Sequence, residues 1–250
     1  MLDLDRLPRH EVRRLRQVAA RHPDPEEAFR ELAERRLAGE PLQYLEGTAA
    51  FGPLELEVDR RVLIPRPETE RLYELVVELV TDPGVVVDLG TGSGALALAL
   101  KHRFGSARVV ATDISPDALE VASANAERLG LEVEFRQGDL FSALPADLAG
   151  RVGLLVSNPP YVAESEWESL PADVRREPRV ALVAGPRGTE VLARIARGAA
   201  DWLRPGGLMA CEIGETQGQE ALELFGAALS DVRVAQDLTG RDRYLLAWKS

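Results

Sequence analysis

Two sets of residues in this chain have types and spacing that could do chemistry. The first is Asn158-Pro159-Pro160-Tyr161, which follows the apolar run Val152 to Val156. Neither proline carries an N–H, and each fixes φ at about −65°. A residue before proline is held extended. The segment therefore reads as a stiff arm, with the Asn158 side-chain oxygen and the Pro159 carbonyl as two fixed acceptors for a group bearing an NH₂. A proline-rich turn capped by an asparagine is the plainer alternative. The second set is three carboxylates, Asp88, Asp113 and Asp139, each at or just after the end of an apolar strand pattern. Asp88 opens the glycine-rich stretch Asp88-Leu89-Gly90-Thr91-Gly92-Ser93-Gly94.

Glycines let the backbone turn sharply and let a ligand approach closely, and the helix that follows presents free N–H groups. Such a loop at the carboxyl end of a strand is a cofactor cradle. Gly90, Gly92 and Ala95 also satisfy a loose dinucleotide-binding spacing. Asp88 decides between ligands, because a carboxylate there attracts an amino or sulfonium cation and repels a pyrophosphate. Asp113 can accept both hydroxyls of a ribose, and Asp139 can accept from an adenine amino group. Together they fit S-adenosylmethionine better than NAD. Singly, Asp88 could be a solvated strand-end charge, Asp113 a helix-start signal before Pro116, and Asp139 a turn cap.

The paired acceptors suit methyl transfer to nitrogen. An amide or aniline-like nitrogen is a poor nucleophile because its lone pair is delocalised. Two acceptors that hold both N–H bonds turn that lone pair toward a methyl donor. They also stabilise the positive charge that develops on nitrogen, and proximity contributes further. Tyr161 would form an aromatic wall against the flat target.

The elements that must hold these groups can be read from patterning. Residues 9–21 and 25–37 read as two short amphipathic helices, striped by Val12, Leu15 and Val18 and by Phe29, Leu32 and Leu37. Leu54, Leu56 and Val58 alternate with Glu55 and Glu57 after Phe51-Gly52-Pro53, a hairpin signal. A helix is expected from about Glu68 to Val80. Strands and helices then alternate: strands at Val85 to Val87, Arg108 to Ala111, Glu132 to Arg136, Val152 to Val156 and Leu208 to Ile213, with helices at Ala95 to Phe104, Pro116 to Leu129, Thr189 to Leu203 and Gln217 to Leu229. Pro205-Gly206-Gly207 is expected to close the third of these helices. The late strands Val232 to Val234 and Tyr244 to Trp248 read as a hairpin through Thr239-Gly240-Arg241. This alternation predicts an α/β fold with a parallel sheet covered on both faces. The chain divides into a small helical part over 1–40, a linker with a hairpin over 41–66, and a large α/β domain over 67–250.

Composition sets outer limits. The 250 residues include 30 Lys plus Arg and 41 Asp plus Glu, a net charge of −11. This balance argues against direct nucleic-acid binding. With 45% hydrophobic and 28% charged residues, wholesale disorder is excluded. No apolar run reaches about 18 residues, so no membrane span is expected, and the N-terminal residues lack the apolar core of a secretory signal. Cys211 is the only cysteine and the three histidines are scattered, so no metal site is expected. A reducing, cytoplasmic location is the default.

The glycine stretch and Asn158-Pro159-Pro160-Tyr161 together resemble class I methyltransferases that modify planar amino groups. Pro41-Leu42-Gln43-Tyr44-Leu45-Glu46-Gly47 and Leu63-Ile64-Pro65-Arg66-Pro67-Glu68-Thr69-Glu70 narrow the likeness. So do Glu177-Pro178, Gly185-Pro186-Arg187-Gly188, Glu212-Ile213-Gly214 and Gly240-Arg241-Asp242-Arg243-Tyr244. Over roughly residues 40–250 the chain is similar to the peptide chain release factor glutamine methyltransferases. The resemblance implies a seven-stranded Rossmann-like methyltransferase sheet with the last strand antiparallel. It implies methylation of the glutamine side-chain amide in the Gly-Gly-Gln loop of class I release factors, with S-adenosylhomocysteine as product. Gly90, Thr91, Gly92, Ser93, Gly94, Asp113, Asp139 and Leu140 then carry over as cofactor contacts. Asn158, Pro159, Pro160 and Tyr161 carry over as the glutamine site, with Asn158 also near the cofactor. Leu140 stands where members often carry an aromatic residue, and the first helical part is shorter than the family's.

Arg66 could pair with the cofactor carboxylate or bridge two domains, and Trp167 could shape a lid or simply pack. Competing functions are an amino methyltransferase acting on adenine in nucleic acid, and a non-catalytic S-adenosylmethionine-binding scaffold. A target-recognition insertion and a basic cleft would favour the first of these, and neither is evident. Replacing Asp113 with Ala should weaken S-adenosylmethionine by about 1.5–3 kcal/mol, the scale of hydrogen bonds to a charged acceptor. A dissociation constant unmoved in isothermal titration would remove Asp113 from the site.

Overall fold

A computed structural model describes residues 4–250. The first three residues of the expected 1–40 part, where the N-terminal signal reading begins, lie outside the described residues. Helices α1 (Arg9–Ala19) and α2 (Pro25–Leu37) form as their apolar stripes require. Asp24 caps α2 by accepting from the Glu27 N–H, and Pro25 sits at the first helical position. A short helix, α3 (Leu42–Glu46), was not legible in the pattern. Its Leu42 and Leu45 share a core with Leu15, Ala19, Phe29, Leu32 and Ala33 of α1 and α2. Five residues are too few to establish a period, and packing supplies what propensity does not.

The hairpin of β1 (Thr48–Phe51) and β2 (Leu54–Glu57) pairs Phe51 with Leu54, and α4 (Pro67–Leu79) comes next. The α/β part then runs β3 (Val85–Leu89), α5 (Ala95–Arg103), β4 (Arg108–Asp113), α6 (Pro116–Leu129), β5 (Glu134–Gln137) and β6 (Val152–Ser157). Two short strands, β7 (Val162–Ala163) and β8 (Val183–Gly185), pair beyond β6. The chain closes with α7 (Glu190–Trp202), β9 (Leu203–Glu212), α8 (Gly218–Gly226), β10 (Ser230–Gln236) and β11 (Asp242–Trp248).

The seven-stranded order is β10-β11-β9-β6-β3-β4-β5. The neighbours from β5 to β9 pair in parallel, and β11 is antiparallel to both β9 and β10. The expected seven-stranded Rossmann-like sheet, with its last strand antiparallel, is therefore present. Side chains alternate across it. Val86, Val109, Leu154 and Ala210 face α4, α5 and α6, whereas Val87, Val110, Leu155 and Met209 face α7 and α8. Helix α5 buries every residue from Ala95 to Leu100, as a helix apolar all round must.

Two expectations need correcting. Pro205-Gly206-Gly207 does not close α7 in a loop; the residues lie inside β9, which begins at Leu203. The pairing of β9 with β6 shifts register just there, between Val152 and Leu154, as a bulge does. A Cβ at Gly207 would come within 2.7 Å of the Val152 carbonyl oxygen, so the glycine serves close strand approach, not termination. The expected helix to Leu229 ends at Gly226, and Leu229 instead packs against the sheet. The β7–β8 pair was also missed, since two or three residues carry no period.

Besides the packing of Phe51, Leu54 and Leu56 in the core, one buried polar side chain fastens the hairpin to α6 and the glycine loop. Asn125 of α6 accepts from the Glu57 N–H at 2.7 Å and donates back to the Glu57 carbonyl at 2.9 Å. It also donates to the Ser93 carbonyl in the glycine loop at 3.1 Å. Replacing Asn125 with Ala should destabilise the protein by about 2–4 kcal/mol, because buried donors and acceptors lose their partners. Urea unfolding tests this; a change below about 1 kcal/mol would show that the three bonds are replaceable.

Candidate active site

Parallel pairing places Leu89 beside Ser157 at the carboxyl ends of β3 and β6. The buried Ser157 hydroxyl donates to the Leu89 carbonyl at 2.7 Å. Connections leave in opposite directions here, since β4 lies on one side of β3 and β6 on the other. That is the crevice in which open α/β sheets hold ligands. It contains a cavity of about 230 Å³ lined by Arg66, Thr69, Asp88, Gly90 to Ser93, Asp113, Asp139, Leu140, Asn158 and Pro160, among others.

The glycine loop is built by its backbone. Gly90, Gly92 and Gly94 have φ of +75°, +56° and +86°, values that side chains with a Cβ rarely adopt. The N–H groups of Gly90 and Thr91 donate to the Thr112 carbonyl at 2.8 and 3.0 Å. Gly94 does not line the cavity; it starts α5 and packs against Leu98 and Ala122.

Asp88 is 1% exposed. Its Oδ2 accepts from the Thr91 hydroxyl at 2.7 Å and from the Ala97 N–H at 3.2 Å. Its Oδ1 is buried at the cavity wall without a partner. Burial pushes the carboxyl up to about 7, against the two hydrogen bonds. An orphaned carboxylate oxygen in a nucleoside-sized crevice fits the ammonium end of a ligand such as S-adenosylmethionine. Asp113 Oδ2 accepts from the Gly92 N–H and Oδ1 from the Ser115 N–H, both at 2.9 Å. Each oxygen keeps a second lone pair for hydroxyl donors. Burial raises this carboxyl too, again opposed by those N–H groups.

Asp139 lines the cavity but is half exposed, and its Oδ2 accepts from Arg194 of α7 at 2.5 Å. Leu140 beside it has φ +51°, in the left-handed region. For a non-glycine residue this costs roughly 1–2 kcal/mol. Such strain collects at ligand sites. Arg66 also lines the cavity. Its guanidinium donates to Glu177, whose other oxygen accepts from the Ile64 N–H at 2.9 Å. That ion pair ties the linker to the loop after β7. Trp167 does not line the cavity; the Arg179 guanidinium lies 5.3 Å from its ring centroid.

Asn158 Nδ2 donates to the Thr69 hydroxyl at 2.8 Å, and both residues line the cavity. Thr69 in turn donates to Glu212 Oε2 at 2.7 Å. Among the described residues no donor reaches Asn158 Oδ1 or the Pro159 carbonyl within hydrogen-bond distance. Pro159 is buried and Pro160 lines the cavity. Tyr161 does not line it; its hydroxyl donates to Glu212 Oε1 at 3.2 Å. Burial raises the Glu212 carboxyl, while the Thr69 hydroxyl and nearby Arg243 oppose the shift. The backbone of the arm is held from behind. Gln217 donates to the Tyr161 carbonyl and the Gly188 carbonyl, each at 3.0 Å. Gly188 has φ +83°, and a Cβ there would meet the Tyr161 oxygen at 2.6 Å. Thr69, Glu212 and Gln217 were given no role from sequence. A lone glutamate closing the apolar strand Leu208 to Cys211 was the available signal for Glu212.

Residues 71–173 match the methyltransferase small domain. A methyltransferase from Pyrococcus furiosus shares the fold, with a TM-score of 0.59 at 19% identity over 87% of this chain and 97% of that one. A T. thermophilus 16S rRNA N2 G1207 methyltransferase, solved with AdoMet and guanosine, gives 0.59 at 20% identity over 81% of this chain and 50% of that one. Sheet order, glycine loop and crevice thus define a Rossmann-like methyltransferase. A release factor glutamine methyltransferase from Moorella thermoacetica is 48% identical over 88% of this chain and 79% of its own length. At that identity and coverage, the chain belongs to the release factor glutamine methyltransferase family.

The unpartnered Asp88 oxygen makes a two-sided prediction. In the unfolded chain this carboxyl titrates near 4, so the ligand-free fold holds the extra proton between about 4 and 7. The stability it contributes is full below that window and is lost as pH rises through about 7. Asp88→Asn keeps an oxygen for Thr91 and Ala97 and puts an amide where the orphan stood. Ligand-free melting should therefore lose its decline between about pH 4 and 7, while affinity for S-adenosylmethionine falls about 10- to 100-fold. Unchanged affinity would show that Asp88 does not meet the ligand's cation.

Proposed function

We propose that this protein transfers a methyl group from S-adenosylmethionine to the side-chain amide nitrogen, N5, of the glutamine in the Gly-Gly-Gln loop of class I peptide chain release factors. One observation carries the reading. Asn158, on the cavity wall beside the glycine loop, has its amide nitrogen engaged by Thr69 and its oxygen unengaged, next to the unengaged Pro159 carbonyl. Membership of the family supports the substrate.

Asp88 Oδ1 would hold the ligand's amino group, Asp113 its ribose hydroxyls, and Leu140 an apolar edge of its base, with Asp139 close by. S-adenosylmethionine, once bound, supplies a methyl group activated by a sulfonium centre. Asn158 Oδ1 and the Pro159 carbonyl accept the two N–H bonds of the substrate amide and fix its plane. The nitrogen lone pair, perpendicular to that plane, is then aimed at the methyl group, and positive charge growing on nitrogen faces two oxygens. No base is needed before attack, because the N–H proton becomes acidic once the nitrogen is alkylated. Tyr161, tethered to Glu212 and Gln217, stiffens the arm behind these acceptors. No metal ion is invoked; among the described residues there is no cluster of three or more His, Cys, Asp or Glu placed to hold one.

The site would work in the cytoplasm, where release factors act. No helix among the described residues is long and apolar enough to cross a membrane. Incubation with methyl-labelled S-adenosylmethionine and either a class I release factor or DNA tests the proposal. Label on the loop glutamine is the expected outcome; label on adenine would place the protein with nucleic-acid amino methyltransferases. Asn158→Ala should lower transfer about 100-fold or more, as loss of a transition-state acceptor does, with cofactor binding mostly intact.

A further inference from the structure

The acceptor role of Asn158 requires its amide to face one way, and an amide can flip. Oxygen toward the cavity gives an acceptor; nitrogen toward it gives a donor that would repel the N–H bonds of an incoming amide. Nothing in the Asn-Pro-Pro-Tyr arm itself decides between the two. We infer that Glu212 and Thr69 are positioning residues that set the polarity of the Asn158 amide from outside the arm. The inference rests on Asn158 acting as an acceptor and goes beyond it by naming what enforces that state.

Counting hydrogens fixes the direction. When Glu212 carries its charge, which the Thr69 hydroxyl and Arg243 favour against its burial, it only accepts. Both Glu212 oxygens are engaged, Oε2 by the Thr69 hydroxyl at 2.7 Å and Oε1 by the Tyr161 hydroxyl at 3.2 Å. A threonine hydroxyl has one hydrogen, and here Glu212 takes it. Toward Asn158, Thr69 Oγ1 can then only accept, and it does so at 2.8 Å. The Asn158 end that faces Thr69 must therefore be NH₂, which leaves Oδ1 as the other end of the amide. Flipping would set oxygen against oxygen at this distance, with both groups losing a bond in a buried setting.

The three residues come from separate elements, and each is placed for its own reason. Pro67 starts α4 and Thr69 lies in its first turn, on the buried side. Glu212 is the last residue of β9, 1% exposed, directly after the buried run Leu208 to Cys211. Asn158 comes directly after β6, which pairs with β9 so that Ser157 lies beside Cys211. A buried carboxylate is costly unless it is hydrogen-bonded and near a cation. This one has two hydroxyl donors, and the Arg243 charge favours its ionised form. The charge thus has a use that packing alone would not require: it gives the relay its direction.

Thr69→Val removes the hydroxyl at nearly constant shape, and Thr69→Ser restores it. Steady-state kinetics with a release factor should show kcat lowered about 10- to 100-fold in the Val variant, the scale of a misplaced reacting group, a larger fall than any in cofactor affinity. The Ser variant should recover most of the wild-type kcat. If Asn158→Ala abolishes transfer while Thr69→Val keeps a wild-type kcat, the relay is wrong and the acceptor role stands. If Asn158→Ala is itself active, the acceptor role fails and the relay with it. Neutron diffraction on the deuterated wild-type protein tests the inference without any variant. A deuteron on Thr69 pointing at Glu212 is expected, and one pointing at Asn158 would overturn it.

Discussion

The parallel pairing of β3 with β6 is the constraint on which the rest depends. It sets Leu89 against Ser157, and with them the two loops that leave those strands. One loop is a glycine turn whose N–H groups are held by Thr112 and Asp113; the other is a double-proline arm. They are 68 positions apart in sequence where Ser157 donates to Leu89, yet they open onto one crevice. The crossover to β4 runs through α5 on one face of the sheet, while β6 lies on the opposite side of β3. Neither loop's chemistry has meaning without the other, and a hydrogen-bonded ladder is what makes the distance between them fixed.

Around that crevice, buried polar side chains do the fastening. Asn125 joins the hairpin to the glycine loop, Gln217 holds the arm, and Glu177 clips the loop after β7 to the linker. Glu40, held at about 2 foremost by the hydrogen bond from Arg35, also takes Arg60, so the first helices are tied to the linker as well. Each of these groups is satisfied, as buried polar groups must be. Asp88 Oδ1 departs from that rule, and Leu140 departs from the backbone rule. Both face the same cavity, where a ligand can repay an unmet hydrogen bond and over-determine a strained residue.

Much of the fold was legible because it obeys local rules. Helix α6 begins at Pro116 after the Ser115 cap and ends before Gly130 in the left-handed conformation, so both ends were readable from residue type. The strands β3, β4, β6 and β9 each carry a run of consecutive buried apolar residues, the mark of a sheet covered on both sides. Legibility failed where elements are short or where turn residues serve another purpose. Helix α3 and the β7–β8 pair are too brief for periodicity. Pro205-Gly206-Gly207 carries the composition of a turn, yet its glycine is required by the approach of the Val152 carbonyl inside a strand.

The sequence by itself determined the chemical types at the crevice: glycines with positive φ, acids at strand ends, an amide locked before two prolines. These are local properties, and each residue carries them wherever it lies. Tertiary structure decided which atoms of those groups remain available. Asp88 keeps one oxygen bare because Thr91 and Ala97 both take the other. Tyr161 turns its hydroxyl to Glu212 instead of lining the cavity, and Asn158 presents oxygen because Thr69 and Glu212 leave its nitrogen no other place. Hydrogen-bond direction is a relation between partners, and those partners lie on α4, β6 and β9, whose proximity is set by long-range packing that no local pattern encodes.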